Sequence, residues 1–258
     1  MCLLALAWNV HPRYRLVVAA NRDEYHERPA AALGKWPAPP LLAGRDLRSG
    51  GTWLALDAAR RFGVVTNFRE LQPPRAAAPS RGTLIPRYLG AAAGAAEFCA
   101  QLEREAGDYA GFNLLLAERD ALWYGSNRAR PFARALTPGV YGLSNELLDT
   151  PWPKLTRVKR GFAAWLGEPG AGAAGLFALL DDRTPADPGS EAPAGGLPRE
   201  WQRILSAPFV AHPLYGTRCS TVLLLEPGGA LYLAERRFDA GGRPAGETEY
   251  QLNPAEWP

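Results

Sequence analysis

At 258 residues and 47% hydrophobic content, the chain can bury a large core and reads as one domain over 1–258. Its 29 basic and 26 acidic side chains leave a net charge of +3 and are mixed along the sequence, which excludes the basic footprint of a nucleic-acid partner. The three cysteines, Cys2, Cys99 and Cys219, are an odd number without metal-ligand spacing, so no metal site is predicted and a reducing, cytoplasmic setting is expected.

Residues 2–8 and 16–20 are apolar and flank the polar turn 9–14, the pattern of a hairpin. The first run follows no positive charge and is too short for a signal-peptide core or a membrane span, which predicts a soluble protein with no integral membrane segment. Folding about the middle of the turn sets Cys2 opposite a residue near position 22, with cross-strand neighbours about 5 Å apart. Asn21, Arg22 and Asp23 then lie beside the amino terminus. If Met1 is removed, Cys2 carries a thiol with a reference pKa of roughly 8.5 beside an α-amine of roughly 8. The amine can then accept the thiol proton, which makes the residue a nucleophile with its own base. An acid at this strand end holds the α-ammonium, and an amide or guanidinium contacts a substrate. The alternative reading is a small buried cysteine on a core strand, followed by a polar strand end.

Residues 25–42, rich in Pro and Ala, read as an extended connection. A second hairpin pairs 50–56 with 62–66 through Asp57-Ala58-Ala59-Arg60 and brings Asn67 near Gly51. Glycines there let a ligand approach the backbone, and Asn67 presents an amide donor to a developing oxyanion; the alternative is a glycine bulge and a turn asparagine. A Pro/Ala loop at 72–79 leads into helical patterns at 84–95 and 96–105, where Cys99 lies beside the apolar stripe of Phe98, Leu102 and Ala106 and reads as core packing. Residues 112–117 and 121–124 form a third strand pair, and a fourth strand, 139–145, ends on Asn145.

Prolines 151 and 153 open an amphipathic helix with Leu155, Val158, Phe162, Trp165 and Leu166 inward and its basic residues outward. A short helix at 176–180 follows, then an Ala/Gly/Pro stretch at 185–198 that reads as a mobile surface insertion, with a lid as the alternative, and a helical turn at 199–205. The strands 215–225 and 231–238 make a last hairpin, with 249–252 as an edge strand. Arg218 precedes a buried run, and a cation beside Cys2 favours its thiolate. The order of elements predicts an α+β protein with many hairpins. No phosphate-binding glycine motif stands in the required context.

Met1-Cys2, Ala20-Asn21-Arg22-Asp23-Glu24, Gly50-Gly51-Thr52-Trp53, Thr66-Asn67, Leu143-Ser144-Asn145 and Thr217-Arg218-Cys219-Ser220-Thr221 occur together and in order. In this the sequence resembles the Asn-Arg-Asp-Glu family, also called the transport and Golgi organisation 2 family. That family is in turn similar to N-terminal-nucleophile hydrolases of the penicillin acylase and bile-salt hydrolase type. The resemblance implies a four-layer αββα sandwich and a catalytic set of Cys2, Asp23, Asn67, Asn145 and Arg218. Within it Asp23 orients the α-amine and the two asparagines serve the oxyanion and the substrate. Asn21, Arg22, Gly51, Thr52 and Trp53 are the expected substrate contacts. Ala20 stands where the hydrolase relatives carry an arginine, and Arg22 replaces the intervening residue of their pattern, a departure that bears on the substrate.

Two functions follow from this resemblance. One is an amide or thioester hydrolase or acyltransferase that needs no cofactor. The other is a trafficking protein for haem, a lipid or an acyl-CoA on the same scaffold. For haem, His11, His26 and His212 are the available imidazoles and none stands in a ligand motif, so Cys2 or a tyrosine is the alternative ligand. The expected partner in either case is a small-molecule amide, acyl or haem-like ligand.

Overall fold

The structure, a computed structural model, describes residues 2–70, 78–187 and 197–258. Met1, most of the Pro/Ala loop expected at 72–79 and most of the insertion expected at 185–198 lie outside the described residues. In chain order the strands and helices begin with β1 (Cys2–Trp8), β2 (Leu16–Tyr25), β3 (Ala30–Pro37), β4 (Pro40–Asp46), β5 (Leu54–Asp57) and β6 (Phe62–Asn67). They continue with α1 (Leu84–Gly90), α2 (Ala95–Glu103), β7 (Phe112–Ala117), β8 (Leu122–Ser126), β9 (Ala133–Leu136) and β10 (Gly139–Leu143). The last are α3 (Pro153–Gly167), α4 (Ala173–Leu180), α5 (Arg199–Ile204), β11 (Tyr215–Leu225), β12 (Leu231–Phe238) and β13 (Pro244–Leu252). The result is an α+β fold with two large antiparallel sheets. No helix among the described residues is long and apolar enough to cross a membrane.

The chain divides into two compact units. The first comprises Met1–Glu27, Pro138–Ser144 and Leu148–Glu256 and carries a six-stranded sheet of order β10-β1-β2-β11-β12-β13. In β1 the run Leu3–Trp8 is buried on both faces, which is why it reads as continuously apolar rather than alternating. The β1–β2 hairpin has the expected register, with Cys2 paired to Arg22. Leu3, Ala5, Val17 and Ala19 share one face with Phe162 and Trp165 of α3 and Leu176 of α4, each large side chain contributing about 1.5–3 kcal/mol by leaving water. Gly161 admits α4 closely, since a Cβ there would lie 2.4 Å from Leu179. The basic residues of α3 do not all face outward: Lys154 is buried in its first turn.

The second unit comprises Arg28–Thr137, Asn145–Leu147 and Trp257–Pro258, and its seven strands lie in sequential order from β3 to β9. Helices α1 and α2 pack Leu84, Ile85, Tyr88 and Phe98 against one face, with Leu114 and Leu116 of β7. The helical run is interrupted at 91–94, where Ala91 turns extended after α1 and Gly94 caps α2; glycines at positions 90 and 94 bound the break despite the alanines between them. The expected extended connection at 25–42 is instead the end of β2 and the hairpin β3–β4. Its signal was weak because only Leu33 and Trp36 of β3 are buried and the register slips between Ala31 and Gly34.

Candidate active-site residues

In the first unit a single cross-strand row runs Cys2, Arg22, Cys219, Arg237 over β1, β2, β11 and β12. Side chains in one row share a face of the sheet. Arg22 therefore stands between two thiols, one strand from each. Cys2 and Cys219 are two strand spacings apart, about 10 Å between Cα atoms, beyond disulfide reach. Both are free thiols, Cys2 half-buried and Cys219 buried.

The environments of the three thiols differ. Burial pushes the Cys2 thiol above its ordinary value and the Asp23 carboxylate adds to this, whereas the amino-terminal charge, then the Arg22 guanidinium and the Asp23 N–H, work in the opposite direction. Burial drives Cys219 well above the usual range, and Glu235, which accepts a hydrogen bond from the thiol, drives it further. Cys99 is pushed up to about 12 by burial and by Glu118, as expected of a packing residue. Glu235 was not singled out from the sequence. It follows Leu231 and Leu233 at period two, and that alternation is the signal that it shares their buried face.

Asn21 and Asp23 occupy the opposite face of β2. The Asn21 amide donates to the carbonyls of Leu180 (2.8 Å) and Pro208 (3.0 Å), and its oxygen accepts from the Ser220 hydroxyl (2.6 Å). Asp23 accepts from the Thr217 hydroxyl (2.7 Å), which itself accepts from Val210 N–H (2.9 Å), and Tyr215 donates to the Asp23 carbonyl (2.9 Å). These bonds fasten the α4 end and the segment before β11 to the sheet. The Asn21 side chain thus has buried protein partners, and the residue across from Cys2 is Arg22.

Arg218 sits on a β-bulge between Thr217 and Cys219, where β11 slips register against β2. Its guanidinium donates to the carbonyls of Tyr25 (3.0 Å) and His26 (3.2 Å), and burial followed by the charge of Arg22 lowers its pKa. The bulge places it near Arg22, and of these two arginines it is Arg22 whose charge acts on the Cys2 thiol. Ser144, not assigned from the sequence, donates to the Cys2 carbonyl (3.1 Å) and ties β1 to the end of β10.

Within the second unit, Gly51 is the site of a close backbone approach, and the backbone that approaches is that of Gly82: a Cβ on Gly51 would lie 2.3 Å from the Gly82 oxygen, and Thr52 N–H donates to the same carbonyl (2.9 Å). Thr52 also donates from its hydroxyl to Leu54 (3.0 Å), and the Trp53 ring fills the space left open at Gly44. Trp53 accepts from Val65 N–H (2.8 Å), which extends the β5–β6 pairing toward Asn67 as the hairpin predicted. Asn67 ends β6 opposite Phe112. The buried Asn145 amide nitrogen donates to both the backbone oxygen and the side-chain oxygen of Asn67, each at 2.9 Å, and its own carbonyl accepts from Arg69 N–H (2.6 Å). Asn113, missed in the sequence, braces the same segment by donating to Glu146 O (3.0 Å) and accepting from Tyr124 OH (2.8 Å).

The expected site residues therefore divide between the units. Cys2, Asn21, Arg22, Asp23 and Arg218 belong to the first, and Gly51, Thr52, Trp53, Asn67 and Asn145 to the second. The histidines do not form a ligand set. His11 Nδ1 accepts from Arg13 and Tyr14 N–H, His26 Nε2 bonds His212 O at 2.9 Å, and His212 Nδ1 accepts from Leu214 N–H. Among the described residues no group of three His, Cys, Asp or Glu side chains has metal-holding geometry.

The family model described as transport and Golgi organisation 2 matches residues 1–240. The transport and Golgi organization protein 2 homolog of Bos taurus is 35% identical over 92% of both chains, and that of Homo sapiens is 32% identical over 92% of both. The transport and Golgi organization protein 2 of Drosophila melanogaster is 26% identical over 96% of this chain and 95% of its own. A match that runs through both units and includes the Cys2–Arg22 strand pair and the Asn67–Asn145 contact places the chain in the transport and Golgi organisation 2 family.

Proposed function

We propose that the protein is a cysteine N-terminal-nucleophile hydrolase or acyltransferase acting on an amide or thioester in the cytoplasm, after removal of Met1. The observation that supports this most is the strand end itself, where Cys2 is the least buried of the three thiols and is paired across from a buried arginine. In this reading the freed α-amine takes the thiol proton and the thiolate attacks the acyl carbonyl. The ammonium then protonates the departing amine or thiol, and water, deprotonated by the amine, releases the acid and restores the thiol. Arg22 supplies the cation that favours the thiolate, and Asp23 the carboxylate beside the amine. Arg218 reinforces the positive potential at this end of the sheet. The N-terminal-nucleophile fold implied by the resemblance is part of the proposal.

The experiment is an intact-mass measurement on untagged protein followed by acyl-thioester turnover by the wild type and by Cys2→Ala. Loss of Met1 and loss of turnover in the variant support the reading; Met1 retained throughout, or equal turnover by the variant, defeats it. A second reading is favoured by the word transport in the names of the relatives: a carrier of haem, lipid or acyl-CoA without turnover. Under that reading Cys2→Ala leaves ligand transfer unchanged unless the thiol is a ligand, in which case the haem absorption spectrum shifts.

A further inference from the structure

The cross-strand row that holds Cys2, Arg22, Cys219 and Arg237 in the first unit continues to Gly246 of β13. Arg22 and Cys219 in its middle are buried, whereas Cys2 and Arg237 on either side of them are half-buried. Cys2 and Arg237 stand three strand spacings apart, about 14 Å between Cα atoms.

Arg237 differs from the arginines around it. Arg236, which points to the other face of β12, pairs with Glu247 (3.0 Å) and covers the Phe177 ring (4.0 Å). Arg183 pairs with Asp181 (3.0 Å), donates to the Gly242 carbonyl (2.7 Å) and lies 4.1 Å over the Phe209 ring. The Arg237 Nε is buried and has no acceptor among the described residues. Glu235, two residues earlier on the same face, accepts from the Cys219 thiol.

The Arg237 side chain is nevertheless held in place. β12 slips register against β13 just after it, and Gly246 opposite has φ +142°, a backbone conformation that favours glycine. A Cβ on Gly246 would lie 2.3 Å from Nη2 and 3.0 Å from Cζ of Arg237, so the guanidinium rests on bare backbone. Ordering an arginine and burying its Nε without a bond both cost free energy, and no hydrogen bond to that Nε within the described residues offsets the cost. A guanidinium fixed in this way presents its remaining N–H donors as a planar fork, which matches a carboxylate through two parallel bonds. With the Glu235 carboxylate on the same face, a single negative charge suits the position better than two.

We propose that Arg237 is an anion subsite that takes a carboxylate at the far end of the ligand, whose acyl carbon lies at Cys2. The placement of the acyl carbon rests on the hydrolase reading above; the carboxylate subsite does not, and two measurements separate them. In wild-type protein carrying 15N-arginine, the guanidinium signals of Arg237 are identified by their loss in Arg237→Lys. They shift saturably on titration with sodium octanoate and require a higher concentration of inorganic phosphate. No shift with octanoate overturns the subsite, and a stronger response to phosphate overturns its assignment to a carboxylate.

The second measurement compares two thioesters of N-acetylcysteamine with equal chain length, the monosuberyl, which ends in a carboxylate, and the octanoyl, which ends in a methyl group. The wild type favours the monosuberyl thioester in kcat/KM, and Arg237→Gln lowers that preference about 10-fold through KM rather than kcat. Arg237→Lys, which keeps the charge and loses the fork, provides the same comparison if the glutamine variant does not fold. A preference unmoved in a folded variant overturns the proposal. A wild type that turns over neither thioester, with the octanoate shift intact, counts against the hydrolase reading and leaves the carboxylate subsite in place.

Discussion

On one face of β2 the side chains of Asn21 and Asp23 are bonded to Leu180, Pro208, Ser220 and Thr217, whereas on the other Arg22 faces the thiols of Cys2 and Cys219. Three consecutive polar residues thus serve opposite ends. The first holds the fold together, the second modulates a reactive group, and the third, bonded to Thr217, also acts on that group through its charge. The period of a strand imposes this division, since neighbours cannot share a face. The Asn-Arg-Asp stretch therefore carries two interleaved sets of side-chain partners.

The largest expected effect lies on the thiol face. Cys2→Ala should lower acyl-thioester turnover by at least about 1000-fold while changing unfolding free energy by under about 1 kcal/mol, because it removes a reacting atom and little buried volume. Kinetics with urea denaturation of the same preparation checks both halves. A comparable loss of stability would show that Cys2 belongs with the structural face.

The mirror experiment is Asn21→Ala, which leaves two buried carbonyls and a buried hydroxyl without their partner. It should cost about 2–4 kcal/mol of stability, at the upper end for a single polar truncation. Alkylation of Cys2 in the still-folded fraction should keep its wild-type rate. A changed rate would couple the two faces and break the comparison.

A smaller effect is expected from Arg22→Gln. The guanidinium lowers the Cys2 thiol pKa against burial, so its removal raises that pKa further and reduces the thiolate present at neutral pH. Iodoacetamide labelling should slow about 3- to 10-fold, and its pH profile should shift upward. In chain with Met1 attached, the already raised thiol means that the labelling rate of the wild type still climbs above pH 9. A profile that levels near pH 8 would contradict the burial of this thiol.

The least change is predicted for the buried thiols. Cys219 and Cys99, both raised by burial, should stay unlabelled through the same pH range in the folded protein and react only on unfolding, read by peptide mass after a labelling pulse. Labelling of Cys219 at the rate of Cys2 would remove the distinction between the two neighbours of Arg22.

Much of this arrangement was legible in the residues alone. The turn at 9–14 and the apolar runs beside it set Cys2 across from position 22, and the second hairpin carried Asn67 to the level of Gly51. The helix from Pro153 followed from its apolar spacing. The β3–β4 hairpin did not, because its few buried residues are separated by Pro, Gly and a register slip. Lys154 escaped the amphipathic rule for a similar reason, since period alone does not say how far around a first helical turn burial extends.

Covalent geometry gives helices and strands fixed periods, so the sequence by itself determined most of the elements, the α+β class, the β1–β2 register and the alternation of Asn21, Arg22 and Asp23. The tertiary structure decided which partner each residue meets. That Gly51 receives Gly82, that Cys219 is the second neighbour of Arg22, that Glu235 is buried beside it and that Asn145 donates to Asn67 all depend on contacts between residues far apart in the chain. Such contacts are selected by packing and by the requirement that every buried polar group find a partner, conditions met only once the sheets have formed.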